Sequence, residues 1–65
     1  MTELANNVLH VLKEMRSPKK QLFSEMDLIR NGFSESESQI AIKELEEQGL
    51  IEVNYSYVNH SFELL

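Results

Sequence analysis

Apolar residues recur at three- and four-residue spacing through the first two thirds of the chain, then at two-residue spacing near its end. Leu4, Val8, Val11, Leu12 and Met15 define one apolar face and predict a helix over 3–15. Thr2 is its N-cap, and Asn6, Asn7, Lys13 and Glu14 fall on the wetter side. Leu9 lies off the main stripe. Ser17-Pro18 ends the helix, because the residue before proline is pushed out of the α region. After the polar Lys19-Lys20 connector, a second helix is expected over roughly 23–31, capped by Ser24. Met26, Leu28 and Ile29 supply its inner side, with Leu22 or Phe23 packing at its start.

Asn31-Gly32 is a stop, since glycine tolerates the left-handed conformation just past a helix and Phe33 can fold back onto the last turn. Ser34 with Glu37 fits a capping box, and Ser36 with Gln39 is a competing register. The third helix then runs to about Gln48 along an Ala41, Ile42, Leu45 seam and stops at Gly49. From Leu50-Ile51 the period changes to two. Ile51, Val53 and Tyr55 point one way, Glu52 and Asn54 the other. Phe62 and Leu64 alternate with Ser61 and Glu63, as a returning strand should. The turn between the strands lacks glycine and proline and falls anywhere from Ser56 to His60.

Composition narrows the class. At 65 residues the chain is one small domain. A domain of this size buries only ~60% of its unfolded surface. Without cysteine it has no disulfide staple and no thiolate-ligated metal, so its core is purely hydrophobic. Apolar residues make up 42% of the chain, enough for a folded domain rather than a disordered tail. No apolar run approaches the ~20 residues that span a bilayer. The segment MTELANN has no basic cluster and does not read as a signal peptide, so a cytoplasmic protein is expected. Two N-x-S triplets, at Asn54 and Asn59, read as chance in that setting. The net charge of -5 is unevenly spread. Residues 1–33 carry five Lys/Arg against four Asp/Glu, a balance of +1, and residues 34–65 carry one Lys against seven Glu, a balance of -6. Such a surface repels nucleic acid and attracts a basic protein patch.

The order helix, helix, helix, hairpin, with Leu45-Glu46-Glu47-Gln48-Gly49-Leu50-Ile51 at the last helix–strand junction, resembles the winged helix-turn-helix superfamily. The likeness covers essentially the whole chain, and its specific part is about a dozen residues. VLKEM after an apolar helix and a tyrosine-bearing hairpin are also similar to the small YjcQ-type winged-helix proteins of bacteria and prophages. The resemblance implies an α+β fold: a three-helix winged helix-turn-helix with a C-terminal two-stranded β-hairpin wing. It also implies a very short strand near Gln21-Leu22-Phe23, and a third helix that in DNA-binding members lies against the phosphate backbone. This chain departs from the regulators in two places. Asn31-Gly32-Phe33-Ser34 puts a polar residue where leucine is common, and the outward third helix offers Glu37, Glu44 and Glu47 where Ser, Thr, Arg, Lys or Gln is usual.

Three kinds of function can be weighed. Phosphate neutralisation by Lys and Arg dominates DNA affinity, yet helix 35–48 holds five Glu and one Lys. Candidate nucleic-acid contacts are Lys19, Lys20, Gln39 and Lys43, with Arg16 and Arg30 nearby and Tyr55, Tyr57, Asn54, Asn59 and His60 as a polar aromatic wing tip. The plainer reading makes the cations solubilising and the tyrosines cross-strand packing. A protein-interaction module is the second kind. Ile40, ringed by Glu37, Glu44 and Glu47, is a candidate anchor for a partner with a basic or apolar surface. With Leu9, Leu64 and Leu65 it is also a candidate homodimer seam. The plainer reading tucks Ile40 under the wing or the first helix.

Catalysis is the third. His10 and Glu14 make a solvated i, i+4 pair, His60 has no partner, and Glu44, Glu46 and Glu47 are too exposed for a hard-metal cage. There is no phosphate loop or HExxH motif. The sequence thus predicts a non-enzymatic interaction or regulatory module without cofactor, metal or small-molecule substrate, with a weak or dimer-dependent DNA-binding regulator as the alternative.

Overall fold

A computed structural model describes residues 1–56 and 60–65. Its elements in chain order are α1 (Glu3–Met15), β1 (Phe23–Ser24), α2 (Glu25–Arg30), α3 (Glu35–Glu47), β2 (Ile51–Tyr55) and β3 (His60–Leu64). The architecture is α+β: three helices packed on a three-stranded antiparallel sheet of order β1-β3-β2.

Local signals set the helix ends. Thr2 Oγ1 accepts from the Ala5 N–H at 3.2 Å and caps α1. Pro18 sits inside a tight turn in which Ser17 and Lys20 exchange backbone hydrogen bonds, both 3.0 Å. α2 is shorter than the expected 23–31 because Phe23 and Ser24 are taken by the sheet, where they pair with Phe62 and Ser61. That pairing supplies the very short strand expected near Gln21-Leu22-Phe23, overlapping it at Phe23 and running on to Ser24, and makes it the third strand of the sheet. The Ser34 box forms as expected: Ser34 Oγ accepts from the Glu37 N–H at 3.1 Å, and Glu37 accepts from the Ser34 N–H at 2.9 Å. Gly32 (φ 96°) and Gly49 (φ 72°) both take the left-handed region that side chains disfavour, and so stop α2 and α3.

The core is Ala5, Val8 and Leu12 of α1, Leu28 of α2, Ala41 and Leu45 of α3, and Phe23, Ile51 and Phe62 of the sheet. Phe23 and Phe62 meet with ring centroids 6.2 Å apart. Ser38 is also fully buried, completing a Ser38–Ala41–Leu45 seam; its Oγ donates to the Ser34 carbonyl at 2.8 Å, so burial leaves nothing unsatisfied. Several apolar placements differ from expectation: Val11 and Ile29 are only half-buried and are not among the residues packed on the core. Met26 is 52% exposed, because it lies about 200° around the helix from Leu28 and both cannot face inward. Leu9 is half-buried against the core, because α1 buries a wide arc centred on Ala5, Val8 and Leu12 with Leu9 at its edge. On the outer sheet face Glu52 stands directly opposite Glu63, a like-charge pair.

Leu45→Ala should cost about 2–5 kcal/mol, a large share of the stability of so small a domain, and urea denaturation measures it. A Cβ added at Gly49 would meet open space, so a side chain there costs only backbone strain. Gly49→Ala should therefore lower the urea midpoint more than Gly49→Asn does, since asparagine visits the left-handed region more readily.

Candidate interaction surface on the third helix

Leu45, Ala41 and Ser38 anchor one side of α3, which turns Ser36, Ile40, Lys43 and Glu47 to solvent. Ile40 is 59% exposed, so it is not tucked under the wing or α1. The helix carries Glu35, Glu37, Glu44, Glu46 and Glu47 against Lys43, five against one, a balance of -4. Its last turn has no basic residue, whereas α1 places Lys13 and α2 places Arg30 there. Glu44, Glu46 and Glu47 therefore crowd the end of α3 where the helix dipole is already negative.

Two of these carboxylates have structural work. Glu44 accepts from the Thr2 N–H at 2.7 Å and from Thr2 Oγ1 at 3.1 Å, tying the start of α1 to α3. Glu46 accepts from the Tyr55 hydroxyl at 2.5 Å, tying α3 to β2. That hydrogen bond, with some desolvation and the Glu46 charge, raises the Tyr55 phenol above its ordinary value. Glu37 serves the Ser34 cap while remaining exposed. Glu47 has neither an ion pair nor a side-chain hydrogen bond among the described residues, and the same holds for Ile40's neighbour Lys43.

Four of the candidate nucleic-acid contacts, Lys20, Gln39, Lys43 and Tyr55, border one groove together with Arg30, and Lys19 lies apart from it. Lys20 pairs with Asp27 at 3.3 Å and lies 5.6 Å from the Phe23 ring centroid. Lys19 projects from the tip of the Ser17–Lys20 turn. Gln39 donates to Glu25 and Glu35, both at 3.4 Å. Gln39, Lys43, Tyr55 and His60 line one open groove between α2, α3 and the hairpin. The Tyr55 and His60 rings meet edge-on at 5.1 Å across the strands. Tyr57 and Asn59 lie outside the described residues. Leu65 is exposed, Leu64 and Leu9 only partly so. His10 and Glu14 form an exposed i, i+4 pair at 3.0 Å.

Sequence reasoning missed Asp27, which caps α2 in a reciprocal box with Ser24: it accepts from the Ser24 N–H at 2.9 Å. The Ser24-x-x-Asp27 spacing carried that signal. Partial burial pushes the Asp27 carboxyl up, but the Ser24 hydrogen bond and the Lys20 and Arg30 charges outweigh it and hold the group below its ordinary value. Among the described residues no helix is long and apolar enough to cross a membrane, and no group of three His, Asp or Glu could hold a metal.

The class these features define is a small α+β domain of three helices and a three-stranded antiparallel sheet. No family model, no curated protein and no solved structure matches the chain.

A depressed Asp27 stabilises the fold fully above its unfolded value near 3.8, and that stabilisation disappears as pH falls through the lower folded value. Asp27→Asn should therefore show a shallower loss of stability below about pH 4 than wild type, read as urea midpoint against pH. Tyr55 has the opposite sign: its neutral form is favoured, so the contribution is present below about pH 10 and lost above. Glu46→Gln should bring its phenolate absorbance transition down toward the ordinary range. Glu44→Ala should cost about 0.5–1.5 kcal/mol through the lost tie to Thr2.

Proposed function

We propose that this chain is a winged helix-turn-helix domain working as a non-enzymatic regulatory or interaction module in the cytoplasm, through protein contacts made by the outward face of α3. The carrying observation is Ile40, 59% exposed at the centre of a helix with a balance of -4. The element order helix, strand, helix, helix, hairpin and the sheet order β1-β3-β2 support the winged-helix assignment. The carboxylate-rich last turn supports the surface. Glu47 lies against the helix dipole with no partner among the described residues, a local cost consistent with a role outside the fold. An apolar anchor inside an acidic ring fits a basic surface with an apolar pocket, where Ile40 would be desolvated and Glu37, Glu44 and Glu47 would steer the approach.

A DNA-binding regulator is the second reading, favoured by Gln39 and Lys43 standing together on the groove side of α3 beside the Tyr55 strand. It opposes the local charge, since each phosphate contact needs a cation and α3 supplies one.

Fluorescence anisotropy separates them. A labelled helical peptide with a leucine stripe flanked by lysines should bind the wild-type chain, and Ile40→Asp should weaken it by roughly tenfold. A generic DNA duplex should not bind at low salt. Micromolar duplex binding that falls steeply with salt, or peptide binding indifferent to both Ile40→Asp and Glu47→Lys, overturns the protein-contact reading.

A further inference from the structure

The acidic, Ile40-centred face of α3 calls for a basic surface with an apolar hollow, and the chain carries such a surface itself. The Ser17–Lys20 turn and the residues leading into β1 enclose a shallow hollow lined by Pro18, Lys19, Lys20, Gln21, Leu22 and Glu63. Leu22 is 58% exposed there, close to the 59% of Ile40. Lys20 keeps its pair with Asp27 and adds its charge to the rim. Lys19 and Glu63 have neither an ion pair nor a side-chain hydrogen bond among the described residues. The hollow thus sets two lysines against one carboxylate. α3 shows the opposite pattern: Ile40 stands among Glu37, Glu44 and Glu47, with Lys43 one turn on.

We propose that the hollow of one copy receives the α3 face of a second copy, an inference that rests on the α3 reading above and names its partner. Ile40 packs on Pro18 and Leu22 of the second copy. The carboxylates around Ile40 meet Lys19 and Lys20, and Lys43 meets Glu63. The spacings agree. Ile40 and Lys43 lie three residues apart on a helix, about 5–6 Å between Cβ atoms. Leu22 and Glu63 extend the Phe23–Phe62 register by one residue, and positions so opposed lie about 4.5–5.5 Å apart. Glu63 already faces the like charge of Glu52 on its other side, so an incoming lysine relieves a repulsion within the sheet.

The groove between α2, α3 and the hairpin is the competing receptor, since Met26, Lys20 and Arg30 border it. It fits an acidic face worse, because four carboxylates, Glu25, Asp27, Glu35 and Glu46, line it against three Lys or Arg. Any basic partner would satisfy Glu47. A second copy is favoured because its hollow adds a carboxylate for Lys43, matching both signs of the α3 face. The net charge of -5 on each copy opposes association. The chain measures 26 × 26 × 24 Å, so the centres of two docked copies lie well beyond the Debye length, about 8 Å at physiological ionic strength, and the contact charges lie within it. A joint between one helix face and one turn is small and belongs with weak, transient interfaces.

Sedimentation equilibrium of the full chain at physiological ionic strength, up to roughly 1 mM, tests the pairing. Wild type should move from 7.6 kDa toward twice that mass or beyond as concentration rises. Ile40→Asp and Leu22→Asp should each weaken association roughly tenfold. The two patches differ, so a chain with Ile40→Asp keeps an intact hollow and a chain with Leu22→Asp keeps an intact α3 face. An equimolar mixture of these variants should therefore associate more strongly than either alone. Lys19→Gln should weaken association roughly twofold to fivefold, whereas Asn7→Asp, the same change in net charge on the exposed side of α1, should leave it nearly unchanged. Lys19 is exposed at the tip of its turn, so this comparison decides the matter even if Leu22→Asp disturbs the sheet. A wild-type mass fixed at 7.6 kDa, a mixture no heavier than its components, or equal effects of Lys19→Gln and Asn7→Asp would each overturn the proposal. A wild-type monomer that still binds the lysine-flanked peptide through Ile40 ends the self-pairing and leaves the α3 reading standing. A monomer that binds no such peptide ends both.

Discussion

Phe62 holds the fold together. It sits on the central strand of the sheet, paired with Phe23 on one side and Val53 on the other. With no cysteine to staple the chain, this row must join the segment between α1 and α2 to the hairpin at the far end of the sequence. The helices then close over it through Leu12, Leu28 and Leu45. Among the described residues nine buried apolar side chains make up the core, so each carries a large share of the burial that offsets chain entropy. The β2–β3 hairpin is thus part of the core sheet, and its position relative to α3 is set by packing as well as by the short Gln48–Leu50 connection.

The carboxylates of α3 show how one residue type can serve the fold and the surface at once. Glu37 closes a cap, Glu44 reaches across to Thr2 and Glu46 holds Tyr55. These contacts consume acceptor capacity but leave negative charge, so the helix keeps its balance of -4 while being tied at three points. A basic partner would meet an acidic face whose side chains are already partly ordered, which reduces the entropy lost on contact.

What the sequence made legible was local. Thr2, Ser34 with Glu37, Asn31-Gly32 and Gly49 each act within a few residues, and each ends or starts a helix where expected. The strand alternation from Ile51 and in Ser61–Leu64 was equally visible, because period two needs only a few residues. The misses required partners distant in sequence or a rotation angle. The very short strand is expected near Gln21-Leu22-Phe23, but its bounds, Phe23–Ser24, depend on Ser61 and Phe62 lying beside it. Ser38 is absent from the expected Ala41, Ile42, Leu45 seam because it is polar, although it stands three before Ala41 and seven before Leu45; its hydroxyl is satisfied by the Ser34 carbonyl, which burial demands. Met26 reads as inward-facing because it is apolar, against the geometry of a six-residue helix. The exposure of Ile40 was legible from the seam opposite it, whereas the reach of Glu44 to Thr2 was not, since 42 residues separate them.

The separation of the two sides of α3 has an evolutionary consequence. Ser38, Ala41 and Leu45 answer to the sheet and to the other helices, while Ser36, Ile40, Lys43 and Glu47 make no contribution to the buried core. Substitution along the outer row is therefore nearly free of selection for folding. A lineage carrying this domain can remake that face, and bring the helix from -4 to neutral, by changing residues within about three turns of helix, with the scaffold left as it stands.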